Sequence, residues 1–328
     1  MSQVVRFHQH GGPEQLRIED LEVGEPGPGE VRIRVETIGL NRSEAMFRAG
    51  VYLQVPKLPS LIGYEGVGVI EALGAGVTGF SVGDTVCVMP SSRLGEYGMY
   101  GEKAIVSARS LTGLPPGLSK IEGAAIWMQY FTALGIIEAG HASVGDFVIV
   151  RAASSSVGLA AIQLANWTGA IPIAATRTRA KVAALKEHGA KHVIVTDESD
   201  IVAEVQRITG GRGARVVFDP VGGPEIDKLA QAAAEEGTVI IYGGLSGQPT
   251  PFPHWPAALK SLSIRGWVAA SIWNKPERFA RYRDLIVRGL AAGNLKPIIA
   301  KTFPLAQIVD AHRYLESNQQ LGKIVVTV

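Results

Sequence analysis

A two-domain α/β fold, a partly closed β-barrel joined to a doubly wound parallel sheet, follows from three features of the sequence. The chain has 328 residues, more than one typical domain needs. Up to about residue 120 it breaks into short apolar runs set off by glycine-rich turns, the pattern of a barrel of short strands. From about Ile121 onward strands alternate with helices, which calls for a parallel sheet covered on both faces.

The composition narrows the function classes. Hydrophobic residues make up 46% and charged residues 19%, enough for a large core and too apolar for disorder. A net charge of +2 supplies no general field for nucleic acid or a membrane surface. Met1–Arg6 lacks the apolar core of a signal peptide, and no apolar run is long enough to span a bilayer, so a cytoplasmic protein is expected. The one cysteine, Cys87, lies in Thr85-Val86-Cys87-Val88 and reads as a small buried hydrophobe.

In the first region, Val31-Arg32-Ile33-Arg34-Val35 alternates apolar and charged residues, the period of a strand with one wet face. Pro26-Gly27-Pro28-Gly29 is a turn. Gly66–Ile70 and Asp84–Val88 read as buried strands separated by the loop Gly74–Phe80. The pattern changes after Leu114-Pro115-Pro116-Gly117. Glu122–Ala139 reads as one helix. Strands are expected at 146–150, 171–176, 192–196, 215–219, 238–242 and 263–268. Between them lie helices from Leu159, at 180–188 stopped by Gly189, up to Thr209, and from Pro224 to Glu236. Pro276–Leu290 is a long amphipathic helix, and the tail holds a short helix and the strand Ile324–Thr327. That tail either extends the parallel sheet or returns to the first domain.

The chain centres on Asp146–Gly158. The β-branched run Val148-Ile149-Val150 reads as a strand buried on both faces, and Ala152–Gly158 is a turn of small residues opening into a helix. Strand, small-residue turn and helix is the layout that sets free N–H groups against a phosphate, although an ordinary connection has the same outline.

Several segments together resemble one family. Pro59–Ile70, with Gly63-Tyr64-Glu65-Gly66, looks like the Gly-His-Glu-Gly segment of the medium-chain dehydrogenases/reductases. Val77–Val86 resembles their next turn and strand, and Ala152–Gly158 falls where they carry Ala-x-x-Gly-x-x-Gly. The match runs in order over essentially the whole chain and looks most like the quinone oxidoreductase branch. The resemblance implies a GroES-like barrel domain from residues 1–120, completed by 295–328, and a Rossmann domain at 121–294. It also implies an active site in a cleft between them and a homodimer through edge strands near Ser263–Val268.

Half of this family uses zinc, which needs Cys, His or acidic ligands. The positions that match the first two ligands hold Asn41 and Tyr64, the four-cysteine lobe cannot exist, and His188 and His192 straddle a helix stop. No metal is expected.

NAD-specific members carry an acid after the second strand. Here that place reads Thr176-Arg177-Thr178-Arg179-Ala180-Lys181, so a 2′-phosphate is the better partner and NADPH the expected cofactor. Arg177 is the foremost contact, and Lys181 matches a phosphate-binding lysine of the branch. A solvated basic helix start is the plainer alternative, but cations are disfavoured at a helix N-terminus. The turn departs from the family: Ser155 stands where the middle glycine belongs, flanked by Ser154 and Ser156. Binding is expected to persist through Ser155, Ser156, Val157 and Gly158. The resemblance adds Thr132 and Lys323 on the nicotinamide side and Gly243, Gly244 and Ser246 after the fifth strand. Each of these glycines serves equally as a plain turn residue.

Without a metal, hydride acceptance needs hydrogen bonds to the developing oxyanion or enolate, and Asn41, Tyr52 and Tyr64 are the candidates in the matching substrate segments. Tyr64 either donates or packs the site. The expected function is hydride transfer from NADPH to a quinone or related electron-poor carbonyl compound. The alternatives are a 2-alkenal or enoyl-thioester reductase, and a mainly non-catalytic NADPH-binding protein like the lens zeta-crystallins.

Overall fold

The computed structural model describes residues 1–328. The chain divides into two compact units, Met1–Met128 with Pro297–Val328, and Gln129–Lys296.

The first unit contains β1 (Ser2–Phe7), β2 (Arg17–Leu21), β3 (Glu30–Gly39), α1 (Arg42–Arg48), β4 (Ser60–Leu61), β5 (Gly66–Leu73), β6 (Thr85–Val88), β7 (Lys103–Ser107) and β8 (Leu111–Gly113). A small sheet runs β2-β1-β4, and a larger one contains β3-β5-β6-β8. The ten residues of β3 organise the larger sheet. One edge pairs with β5 across two register shifts, and residues 30–34 pair with β7. Val31, Ile33 and Val35 point into the core while Arg34 is exposed, as the alternation predicts. Cys87 is fully buried, and burial pushes its thiol up to about 12.

The single helix expected over 122–139 is three pieces: α2 (Lys120–Gly123), α3 (Trp127–Ala133) and α4 (Gly135–Glu138). The physical reason lies in the N–H groups of Trp127 and Met128, which both donate to the Glu65 carboxylate instead of continuing the preceding helix.

In the second unit, β9 (Phe147–Val150), α5 (Ser156–Trp167), β10 (Ile171–Thr176), α6 (Val182–Glu187), β11 (His192–Val195), α7 (Ile201–Thr209), β12 (Ala214–Asp219), α8 (Ile226–Ala232), β13 (Ala233–Ile241), α9 (His254–Leu259), β14 (Ser263–Gly266), α10 (Ala270–Trp273) and α11 (Pro276–Ala291) follow in turn. The sheet order is β11-β10-β9-β12-β13-β14 and every pairing is parallel. This is the doubly wound order, with its switch point between β9 and β12. One expectation fails here. The helix from Pro224 to Glu236 covers only Ile226–Ala232, and Ala233 already pairs with Ala214 in the sheet. Lys260 accounts for the early stop, since its ammonium takes the carbonyls of Gln231 and Ala233 at the helix end.

The tail holds β15 (Ile299–Pro304), α12 (Ile308–Glu316) and β16 (Lys323–Thr327). β16 pairs antiparallel with β3, and β15 parallel with β16. Of the two options for the tail, it therefore joins the first unit. Gly39 permits this approach, because a Cβ there would stand 1.9 Å from the Ala124 carbonyl and 2.9 Å from Lys323 Cε.

Candidate functional site

Each unit carries polar side chains brought together by its fold. In the second, β9 delivers the chain to the turn Ala152–Ser155 at the switch point. Ala152 adopts φ 48°, unusual for a residue with a Cβ, and Ser155 returns to extended backbone just ahead of α5. Ser155 Oγ accepts the Gly158 N–H at 3.0 Å, so the serine in the middle glycine's place caps the helix. An oxygen that accepts in this way keeps its own O–H to donate. Ser156 and Val157, on the first turn of α5, present N–H groups at the positive end of a 12-residue helix. Gly158 has no room for a side chain: a Cβ would lie 2.6 Å from the Ala153 carbonyl and 2.7 Å from that of Ala152.

β10 ends at the buried Thr176, whose carbonyl accepts the Thr196 N–H at 2.8 Å. Arg177, Thr178 and Arg179 are exposed, and a tight 3-10 turn over Arg179–Lys181 replaces the first turn of the expected helix. Arg179 is ion-paired with Glu198. Arg177 has neither hydrogen bond nor ion pair within the protein. Lys181, half-buried, donates to Ser154 Oγ at 2.8 Å. Burial and the neighbouring Arg177 charge hold the Lys181 ammonium below its ordinary pKa.

The loop after β13 packs on the loop after β12. A Cβ on Gly243 would meet the Pro220 carbonyl at 2.6 Å, while Gly244 faces open space. Ser246 donates its N–H to the Val221 carbonyl at 2.9 Å, and its hydroxyl accepts the Gln248 N–H at 3.2 Å. Beneath them Asp219, fully buried, accepts the N–H groups of Val221 and Gly222 and faces Arg151 at 3.4 Å. Arg151 also pairs with Glu225. Thr132 is buried in α3, and its carbonyl accepts the indole N–H of Trp267 at 2.8 Å.

The first unit holds a saturated buried cluster. Glu65, with no exposure, accepts the N–H groups of Trp127 and Met128 on Oε1, each at 2.9 Å. Its Oε2 takes the Lys323 ammonium at 2.6 Å and Asn41 Nδ2 at 3.2 Å. Asn41 Nδ2 also donates to the Gly39 carbonyl, and Asn41 Oδ1 accepts from Lys323 at 2.7 Å. Both amide hydrogens of Asn41 are thus spent, which differs from the oxyanion-donor role expected for it. Lys323, expected from the resemblance on the nicotinamide side, is likewise buried, with its ammonium bonded to Glu65 and Asn41.

Tyr64 shares a 2.6 Å hydrogen bond with Ser43, and burial raises its hydroxyl well above the ordinary value, as it does less strongly for the half-buried Tyr52. Both tyrosines therefore keep their protons at neutral pH. A second buried chain lies close by. Arg48 can only donate, so His312 Nδ1 accepts from it at 2.7 Å and the imidazole proton sits on Nε2. Nε2 donates to Tyr100 Oη at 3.1 Å, and Tyr100 donates to Glu44 Oε2 at 2.7 Å. Burial lifts Glu44 to about 7 and, with the Arg48 charge, depresses His312 to about 3.

The structure therefore gathers the serine turn with Thr176, Arg177 and Lys181, and separately joins Asn41 to Lys323. Sequence reasoning missed Glu44, Glu65, Ser154 as a lysine partner, and the Arg151–Asp219 pair. Their one visible signal is an acid inside an apolar run, as at Glu65. No three His, Cys, Asp or Glu side chains group as metal ligands, and Asn41 and Tyr64 are poor donors for zinc.

Two family models match the chain: the alcohol dehydrogenase GroES-like domain over residues 27–133 and the zinc-binding dehydrogenase domain over 156–288. A 2-haloacrylate reductase from Burkholderia sp. is 30% identical, covering 98% of this chain and 97% of its own. A quinone oxidoreductase from Pseudomonas aeruginosa is 30% identical over 99% of both chains. Among solved structures, the Escherichia coli quinone oxidoreductase complexed with NADPH superposes with a TM-score of 0.92 at 28% identity, over 99% of this chain and 100% of that one. An NAD-dependent alcohol dehydrogenase superposes with a TM-score of 0.87 at 32% identity, over 99% of both. With the doubly wound sheet and the tail strands joined to the first unit's larger sheet, these matches show that the chain belongs to the medium-chain dehydrogenase/reductase superfamily, in its quinone oxidoreductase branch.

Proposed function

We propose that the protein is an NADPH-dependent reductase of quinones or related electron-poor carbonyl compounds. The observation that carries this reading is the pair of cations Arg177 and Lys181 beside the Ser154–Gly158 turn. Arg177 has no anionic partner in the protein, in contrast to the neutralised Arg179. A 2′-phosphate supplies the missing charge. The N–H groups of Ser156 and Val157 and the spare Ser155 hydroxyl fit a pyrophosphate, and Gly244 leaves space for close approach. Thr132, Thr176, Gly243 and Ser246 are proposed along the rest of the dinucleotide.

NADPH, when bound, supplies the hydride. The chain's own residues bind and orient the reactants and hold hydrogen bonds. Tyr64, positioned by Ser43, and Tyr52 are proposed as donors to the oxygen that gains negative charge. Their raised pKa values keep them protonated donors and make them weak acids. Asn41 acts through its carbonyl oxygen and through its place beside Lys323, which we assign to holding Asn41 and Glu65 in register. The bound substrate is a small electrophile.

We also propose a homodimer. β14 is a sheet edge paired only with β13, and Phe252, Trp255, Leu259 and Val268 are exposed large apolar residues on the same unit. No helix is long and apolar enough to cross a membrane, and a cytoplasmic location is part of the same proposal.

The 2-haloacrylate reductase relative favours a second reading, reduction of an activated carbon–carbon double bond. A panel following NADPH consumption with benzoquinones, 2-alkenals, enoyl thioesters and 2-haloacrylate separates the two. Turnover with quinones alone is the expected result. Turnover with alkenes alone selects the second reading, and none with any electrophile alongside tight NADPH binding makes the protein a binder only.

A further inference from the structure

Ser154 is the one member of the serine turn that neither caps α5 nor lies within it. Its Oγ receives the Lys181 ammonium across 27 residues of sequence at 2.8 Å. An ammonium has no lone pair to offer, so Ser154 Oγ is the acceptor and its single O–H remains for another partner. No protein group takes that hydrogen. Arg177 acts on Lys181 as a neighbouring like charge, which tends to drive two long, flexible side chains apart. The hydroxyl of Ser154 opposes this by tying the lysine to the turn.

We infer that Ser154 is a specificity-determining residue: it positions Lys181 for the 2′-phosphate of NADPH and donates its own hydroxyl hydrogen to that same phosphate. This rests on the reading of Arg177 and Lys181 given above. It gives the serine-rich turn a purpose that glycine cannot serve. Ser155 replaces the glycine and caps the helix, while Ser154 extends the turn sideways toward the group that distinguishes NADPH from NADH.

Equilibrium binding of NADPH, NADH, 2′,5′-ADP and 5′-ADP to the full chain, followed by calorimetry, tests this without relying on turnover. Ser154→Ala is expected to weaken NADPH and 2′,5′-ADP roughly tenfold, the scale of one hydrogen bond to a charged group, with NADH and 5′-ADP unchanged. Ser154→Thr, which keeps the hydroxyl, is expected to restore NADPH binding. Equal losses for NADPH and NADH would overturn the inference, because they would place Ser154 at the pyrophosphate or in the framework. So would unchanged NADPH binding. Lys181→Met separates this inference from the reading beneath it. If Lys181→Met weakens NADPH selectively and Ser154→Ala does not, only the role of Ser154 falls; if neither does, the 2′-phosphate site itself is wrong.

Discussion

The two polar constellations are built on opposite terms. In the first unit, Glu65, Lys323 and Asn41 are buried and satisfy one another, with four hydrogen bonds ending on one carboxylate. In the second, the serine turn and the Arg177–Lys181 segment are half-buried or exposed, and the Arg177 guanidinium has no hydrogen bond or ion pair within the protein. A saturated cluster fixes geometry, whereas one with unspent donors of a single sign awaits an anion. The contrast supports a structural part for the first group and the proposed anion binding for the second; Lys323, which the resemblance put on the nicotinamide side, is tied to Glu65 and Asn41.

Breaking the saturated cluster should have the largest effect. Lys323→Met leaves Glu65 as a buried charge without its cation, which costs about 3–5 kcal/mol of stability. Thermal denaturation should show a markedly lower midpoint, partly recovered in Glu65→Gln/Lys323→Met. A midpoint unchanged in the single variant would mean that the cluster does not hold the tail strand β16 in place.

The neighbouring Glu44–Tyr100–His312–Arg48 chain gives a smaller, pH-dependent test. Glu44 titrates near 7 in the folded protein against an ordinary 4.5, so the unfolded chain releases its proton first and stability falls as pH rises across that interval. His312 runs the other way. Its value near 3 lies below the ordinary 6.5, so the unfolded chain binds the proton first and stability falls as pH drops through that interval. The two slopes oppose each other where they overlap. Glu44→Gln removes one of them, so stability of the variant should rise between about pH 4.5 and 6.5, by at most about 1.4 kcal/mol per pH unit, where the unaltered protein is flatter. Urea unfolding across that range reads the slope; a variant curve as flat as the parent's would contradict the assignment.

The smallest effect should come from Arg179. Its charge is already matched by Glu198 at an exposed site, and such pairs contribute little. Arg179→Ala is expected to leave the NADPH dissociation constant within about twofold. A loss as large as that from Arg177 would blur the distinction between spent and unspent cations.

Much of the second unit was legible in the sequence because its signals are local. Val148-Ile149-Val150 and the alternation downstream mark a parallel sheet, and Arg177 stands where an acid would be in an NAD-binding relative. Ser155 was visible as a departure, but its role as a cap depends on the extended backbone that Ala152 sets up. The first unit's cluster was largely hidden. Glu65 meets Trp127 62 positions away and Lys323 258 positions away, and no local pattern records such contacts. Distance along the chain also explains the failure over 122–139, where apolar helical spacing held while Glu65 withdrew two N–H groups from the helix.

Arg177 is proposed as the cation that takes the 2′-phosphate. Calorimetric titration of Arg177→Ala with NADPH and NADH tests it most directly. A charged hydrogen bond of about 1.5–3 kcal/mol predicts NADPH binding weakened about 10- to 150-fold with NADH unaffected. An unchanged NADPH dissociation constant would contradict it.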